Sequence, residues 1–587
     1  MTTAYQRYGE SQFSVFNRWL CRNREAVAVI VLTVLAFAIR VHQIDFYSLS
    51  EDESVKMAAV QEYRHGHFAG VNSEHPMLPK LLEWASLSAG ASWNTIAPGR
   101  HWPTLMPEGW LRLPNVILGA ATTAILYLLC RRMMGSFGSL AASLFWAISP
   151  LPIALNRLAK EETPFTFFTL LACYFYCRAQ QANGDDDARQ WYNMSGIAFG
   201  LALASQYILH LLGLNFLVWS VASKFGLTQT PSRFSYKRFY LAMFVTFIVV
   251  NPVILSPSNF HAILGWLHHD GVRHSGYDFD GKLYMNFPSR LLAGLPWFYY
   301  LCLLLTKTPI PILAAVIAGS IILFKRPRTL ASCYFLTFGI IQLVGLSVSG
   351  AKWIRYSLPL LPFLYLAGGY ALQKMCDMAN SRRLARALIA ATALALLATP
   401  LIELHDWAPF YSFYLNPLAG GKRNIARYFA PDEVSEFDSR EVAQQVCRFG
   451  HFNETLATAR PISLAYYLQV CGRVDLKVVP LYDSHYKPQD GDLIVLEPSR
   501  RYFETQKFFD SLSDSGMLRS TVDVGPVHAS TIYLYNASAE DSANTEERTA
   551  LAPSSWRPQR FQEITKDISS ASLPWLSLSD SARRFTR

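Results

Sequence analysis

Between Phe46 and Lys80 the chain reads FYSLSEDESVKMAAVQEYRHGHFAGVNSEHPMLPK, with Glu51, Asp52 and Glu53 in a row and Glu74, His75 and Lys80 further on. A carboxylate can take the proton from a hydroxyl or amine as it attacks. Lysine or arginine nearby can hold a phosphate and steady the charge that grows on one as it departs. Together the two kinds of group suit transfer from a phosphorylated carrier. A solvated polar loop is the plainer alternative. Against it, Val55, Met57, Ala58, Ala59, Val60 and Tyr63 read as a short amphipathic helix lying on a membrane, with the acids in its first turn.

Two further turns carry charge, Asn156-Arg157-Leu158-Ala159-Lys160-Glu161-Glu162-Thr163-Pro164 and Ser349-Gly350-Ala351-Lys352-Trp353-Ile354-Arg355-Tyr356, and Lys307 precedes Thr308-Pro309. Lys80, Lys160, Lys307, Lys352 and Arg355 are candidate phosphate ligands. For Lys352 and Arg355, flanked by Trp353 and Tyr356, interfacial snorkelling is the competing reading. His261, His268, His269 and His274, with Asp270, lack a metal-ligand spacing and read as a solvated loop, which leaves open whether a divalent metal takes part. Gly276 to Lys282 nearly spells a phosphate loop, but Leu283 stands where Ser or Thr is needed.

The elements that must position these groups are apolar. Of 587 residues, 51% are hydrophobic and 16% charged, which predicts a multi-span α-helical integral membrane protein. The formal charge of +10 then reflects cytoplasmic loops and calls for no nucleic acid. Arg7, Arg18, Arg22 and Arg24 place residues 1–24 in the cytoplasm, and Ala26–Ile44 is a first, retained span. Further spans are expected near Leu111–Cys130, Ser139–Leu155, Phe165–Cys177, 195–222 (long enough for two short helices), Phe239–Leu255, Ile310–Phe324, Leu330–Ser347, Leu358–Leu372 and Leu384–Pro400. Arg178–Arg189 reads as a polar loop.

Leu291–Leu305 is taken as interfacial or re-entrant, because a crossing there would put Lys325-Arg326-Pro327-Arg328 and Arg382 to Arg386 outside. About eleven spans result, over residues 25–400, with extracytoplasmic loops 45–110 and 256–309. Residues 401–536 read as a small extracytoplasmic α/β domain, with strands at Leu476–Leu481, Leu493–Leu496 and Thr531–Tyr535 and helices at Arg440–Cys447 and Tyr502–Leu512. Cys447 and Cys471 could pair there. Residues 537–587 form a polar tail.

The order of first span, acidic pair, His-Pro-x-Leu-x-Lys, acidic turn after the third span and Arg-Tyr-x-Leu-Pro before a late span resembles the GT-C glycosyltransferases. It is nearest the protein O-mannosyltransferase and lipid A aminoarabinose transferase superfamily. The resemblance implies a sugar donor on a polyprenyl-phosphate carrier, a protein or lipid/glycan acceptor, and a bacterial inner membrane. It makes Asp52 the general base with Glu53 beside it, and Glu161 or Glu162 the second acid. His75, Lys80 and Arg355 become donor ligands, joined on the same face by Arg157, Lys160, Lys307, Lys352 and Tyr356. Met77 and Pro79 depart from the family's His-Pro-Pro-Leu-Gly-Lys, and Gln206-Tyr207 stands where some relatives have lysine before tyrosine. Tyr411 to Gly421 resembles a segment of other bacterial members and carries no assigned chemistry. A transporter or flippase of a lipid-linked sugar would also need cations, but would carry polar groups at mid-membrane, whereas these gather at one face. A mere anchor for the C-terminal domain leaves the charged turns without a purpose.

Overall fold

The computed structural model describes residues 23–536, apart from 208–235, 268–275, 286–290, 327–328, 380–382, 450–453, 484–485 and scattered positions between 499 and 517. The first helix, α1, covers 23–41. α2 (Glu51–Arg64) begins with a capping box, in which Ser50 accepts from the Glu53 N–H while the Glu53 carboxylate accepts from the Ser50 N–H. Its three acids sit in the first turn, where the helix N-terminus favours negative charge. The expected amphipathic helix on a membrane surface is corrected: Ser54, Lys56, Met57, Ala58, Ala59, Val60, Gln61 and Tyr63 are all buried. α2 is covered because it packs between α3 (Met77–Ile96) and a helix of the C-terminal domain.

α4 (Pro107–Cys130) follows. The expected third span is two helices, α5 (Ser136–Ile148) and α6 (Pro150–Asn156), bent by 58°. Pro150 cannot donate to the ladder. Arg40 of α1 compensates by donating to the carbonyls of Trp146 at 2.9 Å and Ala147 at 3.1 Å. α7 (Glu162–Gln180) and α8 (Asp185–Leu203) pack along each other. The predicted polar loop is therefore shorter than expected, with Asp185, Asp186 and Asp187 in the first turn of α8. Most of the apolar run to 222, with Lys224 and Arg233, lies outside the described residues.

α9 (Tyr236–Val250) and α10 (Pro257–Leu267) lead to a hairpin of β1 (Tyr277–Phe279) and β2 (Lys282–Tyr284). Asp280 and Gly281 turn it with positive φ, so the near phosphate loop is a hairpin tip. His261 is exposed, while His268, His269, Asp270 and His274 lie outside the described residues. α11 (Tyr299–Lys307) has 9 residues, about 14 Å at 1.5 Å per residue, too short to cross a bilayer. α12 (Ile310–Phe324), α13 (Leu330–Val348, with a π-helical stretch over Phe335–Ile340), α14 (Leu361–Ala379) and α15 (Arg383–Trp407) complete the helical part. Among the described residues Pro107–Cys130 and Leu330–Val348 are long and apolar enough to cross a membrane, and the bent pair α5–α6 makes a third such unit. Ile310–Phe324 is apolar but shorter, at 15 residues.

The Tyr411–Gly421 segment fastens the turn after α11. Lys307 donates to the carbonyls of Ser412 at 2.8 Å and Tyr414 at 3.2 Å, and the Asn416 amide donates to Leu305 and Thr308 at 2.7 and 2.9 Å. The C-terminal domain follows as α16 (Ser439–Phe449), β3 (Thr455–Thr458), α17 (Pro461–Val470), β4 (Lys477–Pro480), β5 (Leu493–Leu496), β6 (Leu518–Val524) and β7 (Val527–Leu534). Its sheet runs β4-β3-β5-β7-β6, parallel among β4, β3 and β5 and antiparallel beyond. β3, α17 and β6 are additions to the expected elements, and Tyr502–Leu512 is only partly described. Cys447 and Cys471 form a disulfide between the ends of α16 and α17. Replacing both with serine should cost the domain about 2–4 kcal/mol, read as a lower unfolding midpoint that dithiothreitol reproduces in the wild type.

Candidate active site

Three separate parts of the chain meet at one point. Asp52 on α2 forms a close ion pair with Lys160, from the turn between α6 and α7. Its Oδ2 also lies 3.8 Å from Nη1 of Arg355, in the turn before α14. Arg355 Nε is 3.3 Å from Glu162 Oε1. Glu161 holds Lys56 Nζ at 2.7 Å and lies 3.8 Å from His75 Nδ1. Accessibility ranks these groups: 55% of the Asp52 side chain reaches solvent and 5% of Lys160, against 25% of Arg355 and 31% of His75. Asp52 is thus the most exposed of these groups.

The surrounding protein opposes charge on Asp52, but Lys160, and then Arg355, outweigh this and hold its carboxyl well below the usual carboxylate range. Burial likewise works against a charged Glu161, and Lys56 and His75 overcome it, to about 2. Burial pushes Glu162 up, with the Glu161 charge adding to it and Arg355 opposing. Burial disfavours a charged Arg355, yet Glu162 and Asp52 keep it firmly protonated. The result is an ionised, solvent-exposed carboxylate bracketed by the Lys160 and Arg355 side chains and backed by Glu161 and Glu162.

Other expected site residues serve the frame. Glu53 is fully buried and accepts from Arg112 Nε at 2.8 Å and Nη2 at 2.7 Å, from Ala159 N at 2.9 Å and from Ser50 N at 3.0 Å. With its oxygens so occupied it cannot reach a substrate, a correction to the catalytic part expected for it. Glu53→Gln should destabilise the protein by about 3–5 kcal/mol, since it strands a buried guanidinium, and a thermal midpoint in detergent checks this. Arg157 donates to the His42 and Gln43 carbonyls, both at 2.7 Å. Lys80 is buried and donates to the carbonyls of Asn72 and, at 3.0 Å, His75. It holds the turn that presents His75, and burial lowers its pKa to about 8. Lys307 is buried on the Tyr411–Gly421 segment, and Lys352 donates to Leu295 at 2.9 Å and to Ser349. These four cations face backbone carbonyls rather than the Asp52 cluster. Tyr356 lies beside it, its ring 5.7 Å from the Arg355 guanidinium.

Lys56, Glu83 and Arg112 belong to the surroundings of the cluster and were not anticipated. Lys56 stands one helical turn after Asp52, a spacing that brings it to the same face, but its apolar neighbours hid it. Glu83 lies 4.0 Å from Lys56, and burial raises it to about 7. Among the described residues no group of three or more His, Cys, Asp or Glu side chains is gathered to hold a metal ion.

Residues 107–255, which contribute Lys160, Glu161 and Glu162, match the family model described as dolichyl-phosphate-mannose-protein mannosyltransferase. No curated protein matches the chain in sequence. The fold aligns with ArnT from Cupriavidus metallidurans bound to undecaprenyl phosphate, at TM-score 0.50 and 15% identity, over 87% of this chain and 98% of that one. The apo state of ArnT aligns at TM-score 0.51. The chain shares the GT-C fold of these structures. A third GT-C match is the Archaeoglobus fulgidus oligosaccharyltransferase tethered with an acceptor peptide containing the NVT sequon, at TM-score 0.51 and 9% identity, covering 79% of this chain and 64% of that chain. The GT-C assignment agrees with a helical membrane protein whose charged turns converge on one site.

Proposed function

We propose that the protein is a membrane glycosyltransferase that moves a sugar from a polyprenyl-phosphate carrier to a protein or lipid/glycan acceptor. The observation that carries this reading is Asp52: an ionised, solvent-open carboxylate held between Lys160 and Arg355. The donor phosphate would lie against these two cations, with His75 and Tyr356 at the rim. Asp52 takes the proton of the acceptor as its oxygen or nitrogen attacks the anomeric carbon from the side opposite the phosphate. The bond from that carbon to the phosphate oxygen breaks, the electron pair stays with the carrier phosphate, and the cations stabilise the charge. Inversion follows, with no covalent intermediate. The relatives' descriptions support a lipid-phosphate carrier, and the basic N-terminal segment supports a cytoplasmic N-terminus, with the site and the C-terminal domain outside a bacterial inner membrane.

The test is transfer from a panel of radiolabelled polyprenyl-phosphate sugars by purified protein in membranes. Label moving to protein or lipid is the expected result, and it names the sugar. Label crossing the bilayer on an intact carrier would replace this reading with transport.

A further inference from the structure

Glu51 and Asp52 are consecutive residues in the first turn of α2 but serve different partners. Asp52 meets Lys160 and Arg355. Glu51 accepts from the backbone N–H groups of Ile462 at 3.0 Å and Ser463 at 2.8 Å, in the first turn of α17. A carboxylate there also meets the positive end of a helix. The turn of the other member also meets this part of the chain: Ile354, the residue before Arg355, shares a hydrophobic core with Phe429 and Val434, which flank the short Pro431–Glu433 helix leading into the C-terminal domain, and its backbone favours the charged form of Glu433.

The seat around these contacts is built rather than loose. Leu49 N donates to Tyr467 Oη at 2.7 Å, Tyr467 donates to Glu108 at 2.7 Å, and Ser439 N donates to Ser48 Oγ at 2.9 Å. Leu49, Met57, Val60 and Ala159 share one hydrophobic core with Val442, Leu464 and Tyr467. In α/β sheets the carboxyl ends of parallel strands usually receive a ligand. Here β3 leads through Ala459 and Arg460 into the end of α17 that Glu51 caps, so this end of the sheet is turned to α2.

We propose that the C-terminal domain is a working part of the catalytic centre, with Glu51 and Glu433 as positioning residues that set the approach of Asp52 to Arg355. The word catalytic rests on the transferase reading above; the mechanical link does not. A domain that only selected the acceptor would act on acceptor KM. A domain that sets the pair acts on kcat.

The test uses full-length protein in lipid, as Glu51→Gln, Glu433→Gln and the double variant. Each single change should lower kcat about tenfold, with KM for both substrates within about twofold. The double variant should fall well short of a hundredfold loss, because both changes act on one spacing. Losses that multiply, or an unchanged kcat, overturn the proposal. Amide hydrogen exchange gives a readout independent of turnover: Glu433→Gln should quicken exchange in 50–56, and Glu51→Gln in 353–357. Unchanged exchange in the distant peptide also overturns it. If the wild type transfers no sugar, the transferase reading falls and exchange alone decides the link. Should one variant fail to fold, the other carries the same test from its own side.

Discussion

Asp52→Asn should lower sugar transfer by about a thousandfold or more while polyprenyl phosphate binds as tightly as in the wild type, or more tightly. The two halves of this expectation have one cause. General-base catalysis is worth about 10²–10⁴-fold, and an amide cannot accept the proton. Asp52 pairs with Lys160 and Arg355, so on the proposed reading it competes with the donor phosphate for them, and removing its charge should free both cations. Without a ligand those cations make Asp52 a poor base. When the phosphate shares their charge the carboxyl is released upward, so the base gains strength as the donor arrives. Transfer assays and equilibrium binding of the carrier lipid, measured on the same preparation, check both halves. Retained transfer would remove Asp52 from the role of base.

Arg355→Ala should reduce kcat/KM by about 10²–10³, the loss that follows removal of one group stabilising charge in the transition state. It should also move the acid limb of the pH profile. The Arg355 cation favours the Asp52 carboxylate, so its loss raises the pKa, and activity begins to fall at a higher pH than in the wild type. In the wild type, kcat/KM should stay level through the usual carboxylate range. Stability follows the same sign: a carboxyl depressed from 3.8 contributes stability present above that value and lost as pH falls below it. Arg355→Lys should recover part of the rate but not the contact to Glu162, since a single ammonium cannot span both acids as the guanidinium does. An acid limb that does not move would separate Arg355 from Asp52.

Charge written into turns was the readable part of this chain. Asp52, Lys160, Glu161, Glu162 and Arg355 stood out because ionisable residues beside apolar spans need a use, and they converge in the fold. What sequence could not separate was a cation aimed at a ligand from one aimed at carbonyls. Lys80, Lys307 and Lys352 have the same side chain as Lys160, and only the path of the backbone around each decides what it meets. Glu53 misled for a related reason: adjacency to Asp52 suggested shared chemistry, but neighbours in a helix lie about 100° apart, and that rotation turns Glu53 inward to Arg112. The surface helix expected after the acids failed because its partner, α17, lies some four hundred residues on, beyond any local pattern. Helix ends were read within a few residues where the apolar run was clean, as at Ile310–Phe324. The bend within α5–α6 falls at Pro150, but Arg40, which meets the carbonyls freed there, lies outside any window over 139–155.

The core shared by Leu49, Met57 and Val60 with Val442, Leu464 and Tyr467 also has a temporal meaning. A ribosome delivers α2 long before α17, so the hydrogen bond from Leu49 to Tyr467, 418 residues apart, can close only once the C-terminal domain has been made. Contacts of such separation form late. Until then the helix that carries Asp52 lacks its contacts with α17, and on the proposed reading a nascent chain has no finished centre to offer a lipid-linked sugar. A chain truncated after its membrane helices would therefore leave α2, and Asp52 with it, without the partner that covers them.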